Sequence, residues 1–325
     1  MSIAKLIAAF AALAGAVAPV GAQEWPTRPL VMVVPYAAGG TTDVVGRILS
    51  LRLSEILRQQ VIIENVGGAG GMTGATRVAK AAPDGYQFVL GNVGTHAQNQ
   101  TLYKNPQYHA ATDFVPVGLL VDQPTVLIVR KDLPVNTLPE FIAYAKANQA
   151  KMQYGSAGAG SPTHLSCALL NAAIGINVTH IPYRGGGPAM QDLIAGRIDY
   201  ICLNIGGAFP QIEGKSVKAI ALLTKDRSPI LSSLPTAQEQ GLKDFQADNW
   251  LAFFLPKGAP QAIVRKLNDA AVETLNTPAV ITRLREIGVE PVAPERRSPE
   301  YLGKFVASEI EKWAGPIKAA GVTGE

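Results

Sequence analysis

Three glycine-rich segments concentrate the residues whose types and spacing suit small-molecule chemistry. The first runs Pro35-Tyr36-Ala37-Ala38-Gly39-Gly40-Thr41-Thr42-Asp43, the second Gly155-Ser156-Ala157-Gly158-Ala159-Gly160-Ser161-Pro162-Thr163-His164, and the third Pro182-Tyr183-Arg184-Gly185-Gly186-Gly187-Pro188. Each ends where a helical pattern begins. Free N–H groups at a helix start attract anions, and glycine lets a loop turn its amides outward. In the first loop Thr42 or Asp43 is placed to cap the helix. In the second, Ser161 is a natural N-cap and Pro162 occupies the first helical position, where its missing N–H is harmless. That arrangement aims the amides of Thr163 and His164 along the helix axis, and Ser156, Ser161 and Thr163 add hydroxyls. The third loop echoes the first, with Tyr183 matching Tyr36, so the two rings would cover one ligand from both sides. An ordinary βα turn has the same composition, and no single loop decides between the readings.

Enzyme motifs fail on spacing. Gly214-Lys215-Ser216 has the ending of a phosphate-binding P-loop, but Phe209 stands where its first glycine belongs. No Gly-x-Ser-x-Gly surrounds Ser156 or Ser161. His164 follows Ser161 by only three residues and reads as a helix-start residue, because a catalytic triad is a spatial constellation. His96, His109 and His180 form no metal motif, so no metal or cofactor is expected. Arg184 is the one cation in these loops, able to pair a carboxylate or to sit in solvent. Asp199 begins a strand whose far end carries Asn204, and a strand-edge Asp is either structural or functional.

The elements that must position these loops alternate strand and helix. Leu30 to Val34 is a continuous apolar run, the mark of a strand buried on both faces. Val45, Ile48, Leu49, Leu53, Ile56 and Leu57 then recur at helical spacing. The pattern continues through Leu255, and the C-terminal part is helical. Such alternation predicts an α/β fold with largely parallel sheets. One sheet would need about ten strands, which is wide, so two Rossmann-like lobes are the economical solution. Crossings near Asp122-Gln123 and Asp248-Asn249 would insert lobe 2 (123–248) into lobe 1 (23–122 plus 249–325), with a hinge and an interlobe ligand cleft at the strands' carboxyl ends.

The 325 residues suffice for two cores, and the formal net charge of +4 comes without a Lys/Arg cluster, which argues against nucleic-acid binding. Lys5, the apolar stretch Leu6 to Val17 and the small residues around Ala22 read as a signal peptide spanning 1–22. Cys167 falls in a helix pattern and Cys202 in a strand pattern. An oxidising compartment permits a disulfide, but apolar neighbours favour two separately buried thiols.

Taken in order, Trp25-Pro26-Thr27-Arg28-Pro29, the first loop, Glu64-Asn65-Val66-Gly67-Gly68-Ala69-Gly70-Gly71, Ala82-Pro83-Asp84-Gly85-Tyr86 and the second and third loops resemble the Bug family, the periplasmic substrate-binding receptors of tripartite tricarboxylate transporters. The resemblance implies a two-lobed, type II-like periplasmic binding fold. It implies a monomeric receptor without catalysis that closes on a small organic carboxylate (a di- or tricarboxylate, an acidic amino acid or an aromatic acid). The receptor would deliver this ligand to a membrane permease. Family positions for the ligand map to Tyr36, Ala38, Gly39, Gly40, Thr42 and Asp43, to Ser156, Gly158, Gly160, Ser161, Thr163 and His164, and to Asp199; Tyr183 joins them from the loop echo. Tyr36 stands where many relatives have Phe. An exported serine hydrolase using Ser156 or Ser161, or a sensor receptor for a two-component system, are the alternatives.

Overall fold

The computed structural model describes residues 25–323. The signal peptide expected at 1–22 lies outside the described residues. The strands are β1 (Leu30–Val34), β2 (Val61–Asn65), β3 (Gln87–Asn92), β4 (Phe114–Gln123), β5 (Thr125–Arg130), β6 (Gln153–Ser156), β7 (Thr179–Pro182), β8 (Tyr200–Asn204), β9 (Val217–Leu222), β10 (Asn249–Pro256) and β11 (Glu290–Pro291). The main helices are α1 (Thr41–Leu57), α2 (Met72–Ala79), α3 (Leu138–Asn148), α4 (Pro162–Ile174), α5 (Gly186–Ile194), α6 (Ile205–Glu213), α7 (Gln261–Asn276), α8 (Pro278–Glu286) and α9 (Pro299–Ala319).

Two sheets result, one ordered β11-β4-β10-β3-β1-β2 and the other β7-β6-β8-β5-β9. The chain passes between them at Gln123–Thr125 and again ahead of Asn249. The sheets are mixed rather than largely parallel. β1 pairs β2 and β3 in parallel, and β6 pairs β7 and β8 in parallel, but β10 is antiparallel to β3 and β4, and β5 to β8 and β9. The cause is the crossing itself. β5 and β10 each enter a lobe from the edge where that lobe's other strands end, so they must run the opposite way.

Each lobe has its own core. Leu30, Met32, Val33 and Val34 are inaccessible to solvent, and helix α1 lays Val45, Ile48, Leu49 and Leu53 over this sheet. Phe88 and Phe253 meet edge to face at 5.0 Å. In the second lobe Phe141 packs against Tyr200 at 5.1 Å, and the buried Tyr200 hydroxyl donates to Asn171 Oδ1 at 2.7 Å. Helix α9, capped by Ser298 with Pro299 at its first position, covers the first lobe through Leu302, Val306, Trp313 and Ile317. No helix among the described residues is long and apolar enough to cross a membrane.

The expectation of two separate thiols is corrected. Cys167 and Cys202 form a disulfide, because α4 lies directly on β8 and brings their Cα atoms to 5.4 Å. That is inside the distance a disulfide spans.

Candidate ligand-binding cleft

The first and second loops meet between the lobes around a cavity of about 30 Å³, room for only a few water molecules. Lobe 1 contributes Tyr36, Gly40, Thr41, Thr42 and Asn92; lobe 2 contributes Ala157, Pro162, Thr163, Gly186, Leu203 and Asn204; the crossing contributes Asn249. None of these side chains is ionisable at neutral pH. Every polar group is a neutral amide or hydroxyl.

The lobes are closed upon each other. Ala37 N donates to Arg184 O at 3.0 Å, and Tyr103 Oη donates to Ala159 O at 2.8 Å. Glycine makes this approach possible. A Cβ on Gly187 would sit 2.8 Å from Ala38 O, and one on Gly70 would sit 2.4 Å from Ala159 O. Real side chains do not tolerate such distances.

The two helix starts differ in what they leave free. At α1 the N-cap is Gly40, with no side-chain cap. Asp43 is buried and fastens the loop instead. Its carboxylate accepts from Gly39 N (3.0 Å), Arg47 Nε (3.0 Å) and Asn65 Nδ2 (2.9 Å). Burial pushes its pKa up, but Arg47 and these hydrogen bonds outweigh burial and hold it below the ordinary value. The amides of Thr41 and Thr42, at the cavity wall, have no intrahelical acceptor.

At α4 most donors are already used. Ser161 Oγ accepts from His164 N at 3.3 Å and donates to Gly158 O at 2.6 Å. Thr163 Oγ1 accepts from Ala157 N at 2.7 Å, and His164 Nδ1 accepts from Gly160 N at 3.1 Å. The His164 amide is therefore bound to the cap rather than aimed into the cleft, and of the two expected amides only that of Thr163 remains. Ser156 Oγ, inaccessible to solvent, accepts from Gly158 N at 3.1 Å and meets His180 Nε2 at 2.7 Å. The His164 and His180 rings stack at 4.1 Å. Burial lowers their pKa values to about 3 and about 4, the proximity of His180 adding to the effect on His164.

Of the residues named from sequence, Tyr36, Gly40, Thr42 and Thr163 line the cavity. Ala38 and Gly39 form the exposed crest that abuts Gly187. Gly158 and Gly160 adopt left-handed backbone at φ +122° and +80°. Two residues are placed elsewhere. Tyr183 turns away from the cavity, its hydroxyl donating to Asp192 Oδ2 at 2.7 Å, so the pair of covering rings does not form. Asp199 lies at the start of β8, the end remote from Asn204, where it pairs with Arg130 (2.9 Å) and accepts from Gln153 N (2.7 Å). Tyr36 itself is held in lobe 1. Asn92 Nδ2 donates to its hydroxyl at 3.0 Å, the hydroxyl donates to Gly70 O at 3.1 Å, and burial raises the phenol's pKa strongly. Arg184 is exposed and contributes only its carbonyl.

Sequence reasoning missed Asn92, Asn249 and His180 and did not count Asn204 as a site residue. The three asparagines share one signal, an amide side chain at the cleft end of an apolar strand. Asn249 Nδ2 donates to Asn204 Oδ1 (2.9 Å) and Gln123 Oε1 (3.0 Å), tying both crossings to the end of β8. His180 reaches Ser156 only through the parallel pairing of β6 and β7.

Comparison with known proteins agrees with this architecture. Residues 45–322 match the tripartite tricarboxylate transporter family receptor, TctC. The periplasmic binding protein BugD superposes with a TM-score of 0.90 at 40% identity, covering 92% of this chain and 99% of its own. MatC from Rhodopseudomonas palustris with bound malate gives 0.88 at 39% identity, covering 90% of this chain and all of its own. Rpa4515 of R. palustris with adipate gives 0.88 at 37% identity, covering 92% and 99%. The chain, with its two lobes closing on a neutral, amide-lined cleft, belongs to the Bug family of tripartite tricarboxylate transporter receptors.

Proposed function

We propose that this protein is a periplasmic receptor that binds a small organic carboxylate between its lobes, without catalysis, and presents the closed complex to a membrane permease. The observation that carries this reading is the cavity wall of neutral donors at the start of α1. Helix-start amides and hydroxyls stabilise an anion without burying an uncompensated cation. Tyr36, Thr41, Thr42, Asn92, Thr163 and Asn204 are the residues we assign to ligand contact. Malate and adipate in two relatives support the carboxylate class. Ligand contacts to both lobes favour the closed arrangement and so shift an open–closed equilibrium.

The Ser156–His180 pair does not favour a hydrolase. The Ser156 hydroxyl is enclosed, is not part of the cavity wall, and already accepts from Gly158 N. A thermal-shift screen of organic acids tests the reading. A carboxylate at about 100 times its dissociation constant should stabilise the fold by about 2.7 kcal/mol. Stabilisation by sugars or metals but by no carboxylate would refute it, as would ester turnover abolished by Ser156→Ala.

A further inference from the structure

The cleft cavity gains room mainly through the angle between the lobes. Most of its polar walls are held by bonds of their own and do not retreat as side chains. The Tyr36 hydroxyl is fixed between Asn92 and Gly70. Thr163 Oγ1 accepts from Ala157 N at 2.7 Å and lies 3.0 Å from Ser161 Oγ. Asn204 Nδ2 donates to Thr125 Oγ1 at 3.2 Å, while its Oδ1 accepts from Asn249. At about 30 Å³ the space is far below the roughly 300–1,000 Å³ of ordinary small-molecule sites. A ligand must therefore open the lobes from this angle, and a longer ligand must open them further.

The closed angle is held by contacts outside the cavity wall. Ala37 N bonds to Arg184 O, and Tyr103 Oη to Ala159 O, each from lobe 1 to lobe 2; none of these four residues lines the cavity. Tyr103 follows the short helix Asn99–Leu102 and is half-buried. The second loop is shaped to receive it. A Cβ on Gly160 would sit 2.6 Å from Tyr103 Oη, and one on Gly158 would sit 3.4 Å from Gly70 N. The left-handed glycines on either side of Ala159 thus serve the lobe contact, letting the Ala159 carbonyl reach the tyrosine.

We infer that this receptor selects carboxylates by chain length, taking acids of malate or succinate size over longer ones such as adipate, and that Tyr103 is the positioning residue that enforces the limit from outside the site. The inference rests on the carboxylate reading above and narrows it. A short acid lets the lobes return to the angle at which Tyr103 reaches Ala159, and the complex gains that bond. A longer acid holds the lobes apart, and its complex forgoes the bond. Tyr103 touches no ligand and acts only through the closed arrangement that it favours.

Calorimetric titration of the mature full chain with malate, succinate, glutarate and adipate, which carry the same charge at neutral pH, tests this. Affinity should fall along the series, at least tenfold from the tighter short acid to adipate. Tyr103→Phe keeps the ring and removes the hydroxyl. It should weaken the short acid about threefold to tenfold, the range of one neutral hydrogen bond, and leave adipate unchanged. A merely structural role for Tyr103 would move both acids alike. Adipate binding as tightly as the short acids, or an equal loss for both in Tyr103→Phe, would overturn the inference and leave the carboxylate reading standing. Binding of none of the four acids would overturn it too, and the wider organic-acid screen then decides whether the carboxylate reading falls with it.

Discussion

The two helix starts that face the cleft are built on opposite plans. At α1 the cap is a bare glycine, the nearby acid is tied down by Arg47 and Asn65, and two threonines stand at the cavity with unpaired amides. At α4 the cap serine, the threonine and the histidine bond to their own loop, and the disulfide from Cys167 to Cys202 anchors the helix to β8. A Gly/Ser/Thr-rich loop before a helix is therefore not by itself a ligand grip. What counts is how many of its donors remain unpaired once the loop has folded. By that measure we assign the anion to α1 and a fixed wall to α4.

Acid should separate the two ends most strongly. His164 and His180 are neutral in the folded protein down to about pH 3 and about pH 4, whereas an unfolded histidine gains a proton below about pH 6.5. Between these limits the unfolded state holds more protons, so stability must fall as the pH drops through the window. The Asp43 carboxylate, whose pKa is depressed, adds a constant stabilisation above the ordinary carboxylate range and reinforces the decline below it, where the unfolded carboxylate takes up its proton first. Thermal melts from pH 7 to 4 should show the decline, and His180→Gln should flatten it; an unchanged slope would contradict the buried neutral pair.

Reduction of the disulfide should cost about 3–4 kcal/mol for a loop of this length, measurable by urea melts with and without reductant, while ligand affinity stays nearly constant. Gly187→Ala sharpens the contrast from the other side. Its Cβ would meet the Ala38 carbonyl across the lobes, so carboxylate affinity should drop at least tenfold while the melting temperature of the free protein holds. At α1, Thr42→Val keeps shape and removes a hydroxyl. A hydrogen bond to a charged group contributes about 1.5–3 kcal/mol, so affinity should fall about tenfold or more. Ser161→Ala should do the reverse, lowering stability by about 1 kcal/mol as a lost cap and changing affinity little. If Thr42→Val destabilised and Ser161→Ala abolished binding, the assignment of roles to the two ends would be inverted.

The alternation of apolar strand runs and amphipathic helices made the two-lobed α/β architecture legible, because burial sets that pattern residue by residue. Strand β4 was not legible. Pro116 and Gly118 interrupt it, and only its place beside β10 makes it a strand. Helix α6 was hidden for the same reason, with Gly206, Gly207 and Pro210 inside it. In the site, the glycine loops announced themselves through backbone demands that few other residues meet. Which donors they keep was not legible, since Ser156–His180, Tyr36–Asn92 and Asn204–Asn249 join residues 24 to 56 positions apart through sheet pairing. The disulfide escaped because spacing carries no record of α4 resting on β8.

We propose that a carboxylate is held by neutral donors at the start of α1. Calorimetric titration with malate and adipate, each beside its uncharged diamide, tests it most directly. At least one acid should bind one to one, its diamide should not bind, and Thr42→Val should lose more affinity than Ser161→Ala. Binding of a diamide as tight as that of its acid, or of neither acid, would contradict it.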